Sequence, residues 1–391
     1  MHPNKIFCTA PFTTMRIESF SNRGVIFKPG CVYAAQNSIP TLDEFLTGSE
    51  MEDLRQNKLN GTIPNIGCAQ CAVPENLGLT SIRKQLLTKP WATDEKKIYM
   101  LDVFFGNTCN LGCIMCGPNW SSYSAEERYQ AGIDPTRLPL ADNVRLTLDT
   151  MSQLPDLKSV SFLGGEFFLF KRNIEIIDQI IQKNLQCTIT TNASVLPNPM
   201  LEKLQQVNDL QIRISVDGTD SVYDFIRYPA KWDTFNRNID VLKEYLPNAE
   251  FHFSIVIQPL NILNLHKLLE WANKKNIPTH YQILSSPAHL AWKILTDNEK
   301  TNIVSLLEIN QSKYKITTKQ KNMVQDLING LPQEEFDPEL RKRGIDFLSK
   351  LLAYRKISSE TITIQFGILK NLAEEIINII KAKSVEGNYS N

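Results

Sequence analysis

Three cysteines, Cys109, Cys113 and Cys116, stand within one short segment in the spacing CxxxCxxC. The chain has eight cysteines, and in a reducing compartment such groups are more often metal ligands than disulfides. Three thiolates on one loop can hold three irons of a four-iron, four-sulfur cluster, which leaves the fourth iron open to another ligand. A zinc ion that takes its fourth ligand from elsewhere is the alternative that this spacing leaves open.

A second group comprises Cys8, Cys31, Cys68 and Cys71, of which the last two form a CxxC pair. Four cysteines with one such pair could form a zinc ribbon or a fully ligated iron–sulfur cluster. Ligand count and geometry alone favour zinc. The remaining cysteine, Cys187, stands within an apolar run and is interpreted as a small core residue.

The central part of the chain alternates apolar, β-branched runs with helical patterns. The runs predict strands at 98–105, 157–163, 185–191, 210–216, 250–257 and 278–284, with helices at 172–183, 231–246 and 262–275. Six strands that alternate with helices predict right-handed parallel βαβ units. An open doubly wound sheet and a partial barrel both satisfy this α/β pattern.

The regions on either side differ from this centre. Residues 1–96 are rich in turns, with a hairpin predicted at 14–18 and 25–28 and a capped helix at 41–59. Residues 291–391 are predicted to be helical, with helices at 302–313, 337–354 and 366–383. We therefore expect three regions: a small cysteine-rich metal-binding module at 1–96, an α/β region at 97–290 and a helical extension at 291–391.

Polar and glycine residues follow several of the predicted strands. Ligands bind at the carboxyl ends of parallel strands, so side chains there should converge. Glycines allow a close backbone approach, and a carboxylate can accept hydrogen bonds from an ammonium group. The candidates in this position are Gly164, Gly165, Glu166, Asn192, Ser215, Asp217 and Val256.

The segment CNLGCIMC after the first strand and GGE after the second resemble the radical S-adenosylmethionine (SAM) superfamily. This resemblance implies a partial (β/α)6 barrel of the TIM type. It also implies a [4Fe-4S] cluster on Cys109, Cys113 and Cys116, with S-adenosyl-L-methionine bound at the open iron.

The resemblance further assigns contacts with S-adenosylmethionine. The Gly164-Gly165-Glu166 segment is expected to bind the methionine amino group, and Arg227 the carboxylate. Asn192 and Ser215 are expected near the ribose and carboxylate, Asp217 beside them, and Val256 over the adenine.

The N-terminal cysteines and the pattern E-x-x-G-x-x-S-x-R (Glu75, Gly78, Ser81, Arg83) resemble the SPASM/twitch auxiliary-cluster module. In most relatives that module follows the barrel, whereas here it precedes it. The resemblance implies a second, auxiliary [4Fe-4S] cluster on Cys8, Cys31, Cys68 and Cys71. Full ligation by four thiolates favours an electron-transfer or structural role.

The function implied is reductive cleavage of S-adenosylmethionine to a 5′-deoxyadenosyl radical, which abstracts hydrogen from an unidentified substrate. The substrate could be a peptide that is oxidised, cross-linked or epimerised, or a sugar or small metabolite. A flavodoxin or ferredoxin is the expected electron donor. A metal-stapled binding protein without radical activity and a zinc-dependent α/β enzyme are the competing hypotheses.

Charge and hydropathy exclude several other classes of partner. The 42 basic residues equal the 42 acidic residues, so no global positive field attracts nucleic acid or an anionic membrane. No apolar stretch approaches the ~20 residues of a membrane helix, and the N-terminus does not resemble a signal peptide. A cytoplasmic location is expected.

Overall fold

A single eight-stranded sheet organises the chain, for which the computed structural model describes residues 8–20, 24–31, 39–61, 68, 71, 75, 81–136, 139–140 and 142–386. The strands are β1 (Thr14–Phe20), β2 (Gly24–Lys28), β3 (Met100–Phe104), β4 (Ser159–Leu163), β5 (Gln186–Thr191), β6 (Leu210–Ser215), β7 (Glu250–Ile257) and β8 (Thr279–Ile283). Their order across the sheet is β2-β1-β3-β4-β5-β6-β7-β8.

Helices follow most of the strands. In the described residues they are α1 (Ala10–Thr13), α2 (Leu42–Thr47), α3 (Ser49–Leu59), α4 (Ile82–Leu87), α5 (Ser122–Gln130), α6 (Val144–Ser152), α7 (Asn173–Lys183), α8 (Asn198–Leu204), α9 (Asp220–Ile226), α10 (Trp232–Tyr245), α11 (Leu265–Lys274), α12 (Asp297–Lys313), α13 (Thr318–Gly330), α14 (Pro338–Tyr354), α15 (Ser359–Phe366) and α16 (Lys370–Glu386). Short 3-10 helices cover Phe167–Leu169, Ile262–Asn264, Ala288–Leu290, Trp292–Ile294 and Leu331–Gln333. No helix of the described residues has both the length and the apolar composition needed to cross a bilayer.

The six predicted strands are confirmed as β3 to β8, and every neighbouring pair among them is parallel. Their order in the sheet follows their order in the sequence. A doubly wound sheet would reverse direction at a switch point, so this α/β sheet is wound in one direction, as in a barrel-like domain. Within the described residues β8 pairs with β7 alone, so the sheet does not close.

The N-terminal hairpin is present, but it belongs to the same sheet as the central strands. Its strands β1 and β2 are antiparallel, and β1 pairs in parallel with β3, where Ile17 lies opposite Val103. The alternating apolar residues Met15 and Ile17 are fully buried, and this is what fixes β1 on the sheet. Only six strands were expected in the sheet, because the residue pattern of a hairpin does not show which other strand it will pair with.

The predicted helix at 41–59 is two helices, α2 and α3, because Gly48 between them has an extended backbone. The predicted cap is confirmed, since Thr41 accepts a hydrogen bond from the Glu44 amide at 3.2 Å. Among the C-terminal helices, α13 and α15 were not predicted individually from the sequence. Residues 21–23, between the two strands of the hairpin, and Gly78 lie outside the described residues.

The two faces of the sheet differ sharply in polarity. On β6 and β7 the side chains of Ile212, Ile214 and Phe253 are fully buried beneath helices, and Phe253 packs on Trp271 of α11. The alternate positions, such as Arg213, are mostly polar and remain half-buried or exposed. Since the one-way winding places the helices on the outside, the polar face is the inner face of the barrel.

We predict that Ile17→Ala lowers the free energy of unfolding of the barrel by about 2–4 kcal/mol, because it removes fully buried apolar volume between β1 and β3. Urea unfolding followed by tryptophan fluorescence, to which Trp232 and Trp271 contribute, measures the effect. The control is Ile309→Ala on α12, where the side chain is 64% exposed and the change should stay within about 0.5 kcal/mol. An unchanged barrel transition in Ile17→Ala would contradict a shared sheet.

Candidate functional site

The cysteine loop, residues 105–121, connects β3 to α5 at the carboxyl end of the sheet and has no regular secondary structure of its own. Backbone hydrogen bonds to the end of α9 and the residues after it hold the loop: Tyr228 O accepts from Gly112 N at 2.7 Å, and Ile226 O accepts from Ile114 N at 3.0 Å. The Ser121 hydroxyl donates to Leu111 O at 2.6 Å. These contacts fix the backbone that carries the three cysteines.

The two glycines after β4 pack directly against this loop. A Cβ atom on Gly165 would lie 2.1 Å from Thr108 O, and Gly164 has φ +101° with Gly106 O at 2.6 Å from its would-be Cβ. The amides of Gly165 and Glu166 donate to Gly106 O and Thr108 O, both at 2.8 Å. The close approach that requires glycine here is therefore an approach to the chain's own backbone, immediately before Cys109.

Glu166 is fully buried and joins the end of β4 to the end of β5. One carboxylate oxygen accepts hydrogen bonds from Thr191 Oγ1 at 2.7 Å and Phe168 N at 3.1 Å, and the other accepts from Asn192 N at 2.6 Å. Burial raises the pKa of Glu166 to about 7, although the bonds from Thr191, Asn192 and Phe168 oppose the rise. Three of roughly four acceptor positions are thus already used by the chain.

Asn192 lies beside the first cysteine. Its side-chain amide donates to Asn110 Oδ1 at 3.1 Å and lies 3.8 Å from Cys109 Sγ, while its oxygen accepts from Ser194 N at 2.8 Å. The amide orientation is therefore set by neighbours on both sides. The arrangement brings a β5 residue into contact with the cysteine loop, as the sequence analysis expected for side chains at the strand ends.

Asp217 and Arg227 form a buried ion pair next to the second cysteine. Arg227 NH2 lies 2.6 Å from Asp217 Oδ2, and Arg227 NH1 lies 3.8 Å from Cys113 Sγ. The other Asp217 oxygen accepts from the amide of Val256 at 2.8 Å. Burial works against the charge of Arg227, but Asp217 and then Cys113 more than offset it, so the pKa of Arg227 is raised. Arg227 thus faces a carboxylate and a thiol of this chain.

Ser215 ends β6 on the inner face, opposite Ser254 of β7, and is half-buried. Val256 lies further along the same face of β7. The structure therefore gathers Glu166, Asn192, Asp217 and Arg227 around the cysteine loop, with Ser215 and Val256 at the neighbouring strand ends.

The three thiols differ in their electrostatic surroundings. Burial raises the pKa of Cys109 to about 12, with a further contribution from Cys113. The pKa of Cys113 is lowered because it accepts a hydrogen bond from Cys116 and lies beside Arg227, and donating that bond helps to raise the pKa of Cys116. Metal binding at this loop would therefore release protons from at least two buried thiols.

An ion pair that the sequence analysis did not anticipate holds the middle of the loop. Arg355, just after α14, donates to both carboxylate oxygens of Glu127 at 2.7 Å and also donates to Gly112 O. Its guanidinium lies 4.6 Å from the ring centroid of Tyr228, and both charged side chains are at most 2% exposed. Arg355 and Glu127 are 228 residues apart, so no local spacing could have revealed the pair.

The N-terminal cysteines also lie near one another. Cys68 Sγ accepts a hydrogen bond from the buried Lys58 ammonium at 3.3 Å, and the Cys71 amide donates to Cys68 O at 3.0 Å. Burial raises the pKa of Cys8 to about 11, with smaller effects from Lys58, Cys68 and Cys71, and Cys31 packs against the same small cluster. All eight cysteines are free of disulfides.

Three residues of the E-x-x-G-x-x-S-x-R pattern bond to one another beside these thiols. Arg83 and the Ser81 hydroxyl both donate to the Glu75 carboxylate. Glu75 is the first cause of the raised pKa of Arg83, to which Cys8 and Cys71 also contribute. The pattern thus forms a polar brace next to the N-terminal cysteines.

The two cysteine groups lie at opposite ends of the strands. Cys8 precedes β1 and Cys31 follows β2, and the register Thr14–Met100 places both at the amino end of β3. Cys109 follows the carboxyl end of β3. Five residues of a parallel strand span about 17 Å, so the groups are separated by roughly the height of the sheet.

The donor set of the cysteine loop fits an iron–sulfur cluster. Among the described residues, no three His, Cys, Asp or Glu side chains converge on a position for one metal ion. A four-iron cluster instead binds each thiolate to a different iron, so its cysteines stand further apart. Arg227 and Asn192 supply N–H groups at 3.8 Å from two of the sulfurs, where they would stabilise a cluster's negative charge.

The profile of the Radical SAM superfamily matches residues 103–272, from β3 to α11. That range contains the cysteine loop and each residue gathered around it except Arg355. This segment is therefore similar to a radical SAM domain. Members of the superfamily are enzymes that use S-adenosylmethionine and a [4Fe-4S] cluster.

Comparison with solved structures gives matches of low TM-score and low sequence identity. The crystal structure of Streptococcus suis SuiB bound to S-adenosylmethionine shares 16% identity, with a TM-score of 0.40 over 56% of this chain and 49% of that one. The crystal structure of SuiB bound to its precursor peptide SuiA shares 14% identity, with a TM-score of 0.40 over 73% of this chain and 56% of that one. The crystal structure of archaeal TYW1 shares 16% identity, with a TM-score of 0.26 over 43% of this chain and 58% of that one. The chain thus spans about half the length of the first two structures. No curated protein sequence matches it.

We predict that Arg355→Leu destabilises the radical SAM domain by about 3–5 kcal/mol, because Glu127 is left as an unpaired buried charge. Urea unfolding gives the change, and iron content after anaerobic reconstitution should fall with it, since Gly112 loses its restraint. The double variant Arg355→Leu with Glu127→Leu should recover part of the stability, because no lone charge remains. Arg145→Leu, at an arginine that is 79% exposed, is the control; an effect of Arg355→Leu no larger than this control would contradict the prediction.

Proposed function

We propose that this chain is a radical SAM enzyme with a [4Fe-4S] cluster on Cys109, Cys113 and Cys116. The observation that supports it is the cysteine loop at the carboxyl end of the sheet, surrounded by Glu166, Asn192 and the Arg227–Asp217 pair, within the segment matched by the family profile. When bound, the cluster would supply the electron that cleaves S-adenosylmethionine to a 5′-deoxyadenosyl radical, which abstracts hydrogen from the substrate.

The chain's own residues would bind and orient S-adenosylmethionine. Glu166 keeps about one free acceptor position, suited to the methionine ammonium, and a cation there would lower the raised pKa of Glu166. Arg227 would bind the carboxylate of S-adenosylmethionine, while Asp217 holds the Arg227 guanidinium in place. Asn192 and Ser215 would lie near the ribose and carboxylate, and Val256 near the adenine. Gly164 and Gly165 would act indirectly, by seating the cysteine loop.

We further propose an auxiliary [4Fe-4S] cluster on Cys8, Cys31, Cys68 and Cys71. The grouping of these thiols around the buried Lys58 supports it, because an ammonium that donates to Cys68 stabilises a negatively charged metal–thiolate site. These four thiolates would hold the cluster at the opposite end of the strands from the cysteine loop, where it would supply an electron-transfer or structural function. The E-x-x-G-x-x-S-x-R brace supports its assignment as a SPASM/twitch-type module that precedes the barrel.

The substrate would lie between the two ends of the barrel, along the polar inner face. The resemblance of the N-terminal module makes a peptide the first substrate class to test, and a sugar or small metabolite the second. A flavodoxin or ferredoxin would supply the electron. Eight free cysteines suit a reducing compartment, which makes the cytoplasm the proposed location.

We predict that replacing Cys109, Cys113 and Cys116 together with Ala removes about four irons per chain and abolishes reductive cleavage of S-adenosylmethionine, because three thiolates hold one four-iron cluster. Iron analysis and release of 5′-deoxyadenosine after dithionite reduction measure both. Cys187→Ala, at a fully buried cysteine of β5 that belongs to neither group, is the control. Cleavage that persists in the triple variant would refute the assignment, and its absence in the wild type would favour a metal-stapled binding protein.

Reconstituted wild-type protein should contain about eight irons per chain, because two four-iron clusters are expected. The variant with Cys8, Cys31, Cys68 and Cys71 replaced by Ala should keep about four, and the N-terminal module should lose stability with its metal. Iron and zinc analysis on the same samples decides between the two metals. About four irons and one tightly bound zinc in the wild type would make the N-terminal site a zinc site.

A further inference from the structure

The inner face of the barrel carries a group of cationic and hydrogen-bonding side chains on three adjacent strands. Arg213 of β6 lies opposite His252 of β7, and Ser254 of β7 lies opposite His280 of β8. His280 Nε2 is 3.2 Å from His252 Nδ1, so the two imidazoles share one hydrogen bond. The cationic patch is defined here as Arg213, His252, His280 and the nearby Lys319 of α13.

The patch carries more positive than negative charge. In the described part of the chain, the side chains of Arg213 and Lys319 form no hydrogen bond or ion pair. The carboxylate that approaches the patch is Glu250, 3.9 Å from His252 Nε2; it is 67% exposed and also accepts a hydrogen bond from Gln211 at 3.2 Å. Two permanent cations therefore face one solvated carboxylate.

The local field already acts on His280. Burial lowers the pKa of His280, and His252, Arg213 and Lys319 lower it further because each disfavours another positive charge nearby. An anion bound among these groups would reverse that effect, since it favours the imidazolium. Arginine and imidazole N–H groups on one surface are donors for the oxygens of phosphate or carboxylate.

We propose that Arg213, His252 and His280 form a binding site for an oxyanion, a phosphate or carboxylate group, carried by the substrate. The assignment of this anion to a substrate rests on the proposed function, whereas the existence of the anion site does not. Arg213 lies two residues before Ser215, which ends β6, a separation of about 7 Å along the strand. A substrate anchored at Arg213 would therefore reach towards the carboxyl end of the sheet, where the cysteine loop lies.

The test is a titration of the reconstituted full-length protein with inorganic phosphate at constant ionic strength, followed by NMR of ¹³C-labelled histidines. His252→Gln and His280→Gln assign the two resonances. We expect saturable shifts of both and a higher pKa for His280 when phosphate is bound. Arg213→Gln should weaken phosphate binding about ten- to hundred-fold, because one charge-assisted contact is lost. Arg145→Gln, the same change at an exposed outer arginine, should bind phosphate as the wild type does.

Shifts that do not saturate, or equal affinity in Arg213→Gln and Arg145→Gln, would overturn the proposal. A parallel titration with acetate separates the two ligand classes: tighter acetate binding points to a carboxylate substrate, and tighter phosphate binding to a phosphate ester. Reductive cleavage of S-adenosylmethionine is measured on the same samples and should be equal in Arg145→Gln and the wild type. Phosphate binding without any cleavage would reject the proposed function and leave the anion site standing.

Discussion

The buried ion pair between Arg355 and Glu127 is the contact on which the geometry of the cysteine loop depends. The loop has no helix or strand to fix its backbone, and the carbonyl of Gly112 lies between the first and second cysteines. Removing two charges from water costs several kcal/mol each, so such a pair is stable only when close charge contacts and further hydrogen bonds compensate for that cost. Here the guanidinium meets both oxygens of Glu127, Gly112 O and the face of Tyr228.

Around that contact, each of the loop's neighbours contributes a different constraint. The backbone of Gly165 lies against Thr108 so closely that no side chain fits between them. Arg227 places a positive charge beside Cys113 while Asp217 keeps that charge compensated. The site is therefore assembled from β4, β5, β6, α5 and the segment after α14, and no single element could form it alone.

Local patterns in the sequence predicted a large part of this arrangement. The six central strands follow from apolar runs, and CxxxCxxC, GGE and the polar residues at strand ends identify most of the site. Three features could not be predicted, for physical reasons. The hairpin joins the sheet through β1 because Met15 and Ile17 are buried there. The alternation of apolar residues predicts a strand, but it does not show which strand β1 will pair with. Arg355 contacts a loop far away in sequence. Arg227 pairs with Asp217 because the fold buries the two side chains together, which the sequence does not show.

The polar inner face separates this domain from a barrel whose interior is only a packed core. Interiors of closed eight-stranded barrels are filled by layers of branched apolar side chains. Here the open sheet leaves Arg213, His252 and Ser254 partly accessible, so the interior can hold water or a ligand. The apolar layer lies outside the strands instead, where Phe253, Trp271 and their neighbours provide the core.

The separation in sequence between Gly112 and Arg355 also determines when the loop can acquire this contact during translation. The two residues are 243 positions apart, so the cysteines leave the ribosome long before the arginine that completes their loop. At translation rates of about 5–20 residues per second, the interval is roughly 12–50 s. During that time the thiols are synthesised but not yet held in place, and a chain that ends before residue 355 never acquires the restraint. The loop therefore acquires its complete set of restraints only after residue 355 has been synthesised.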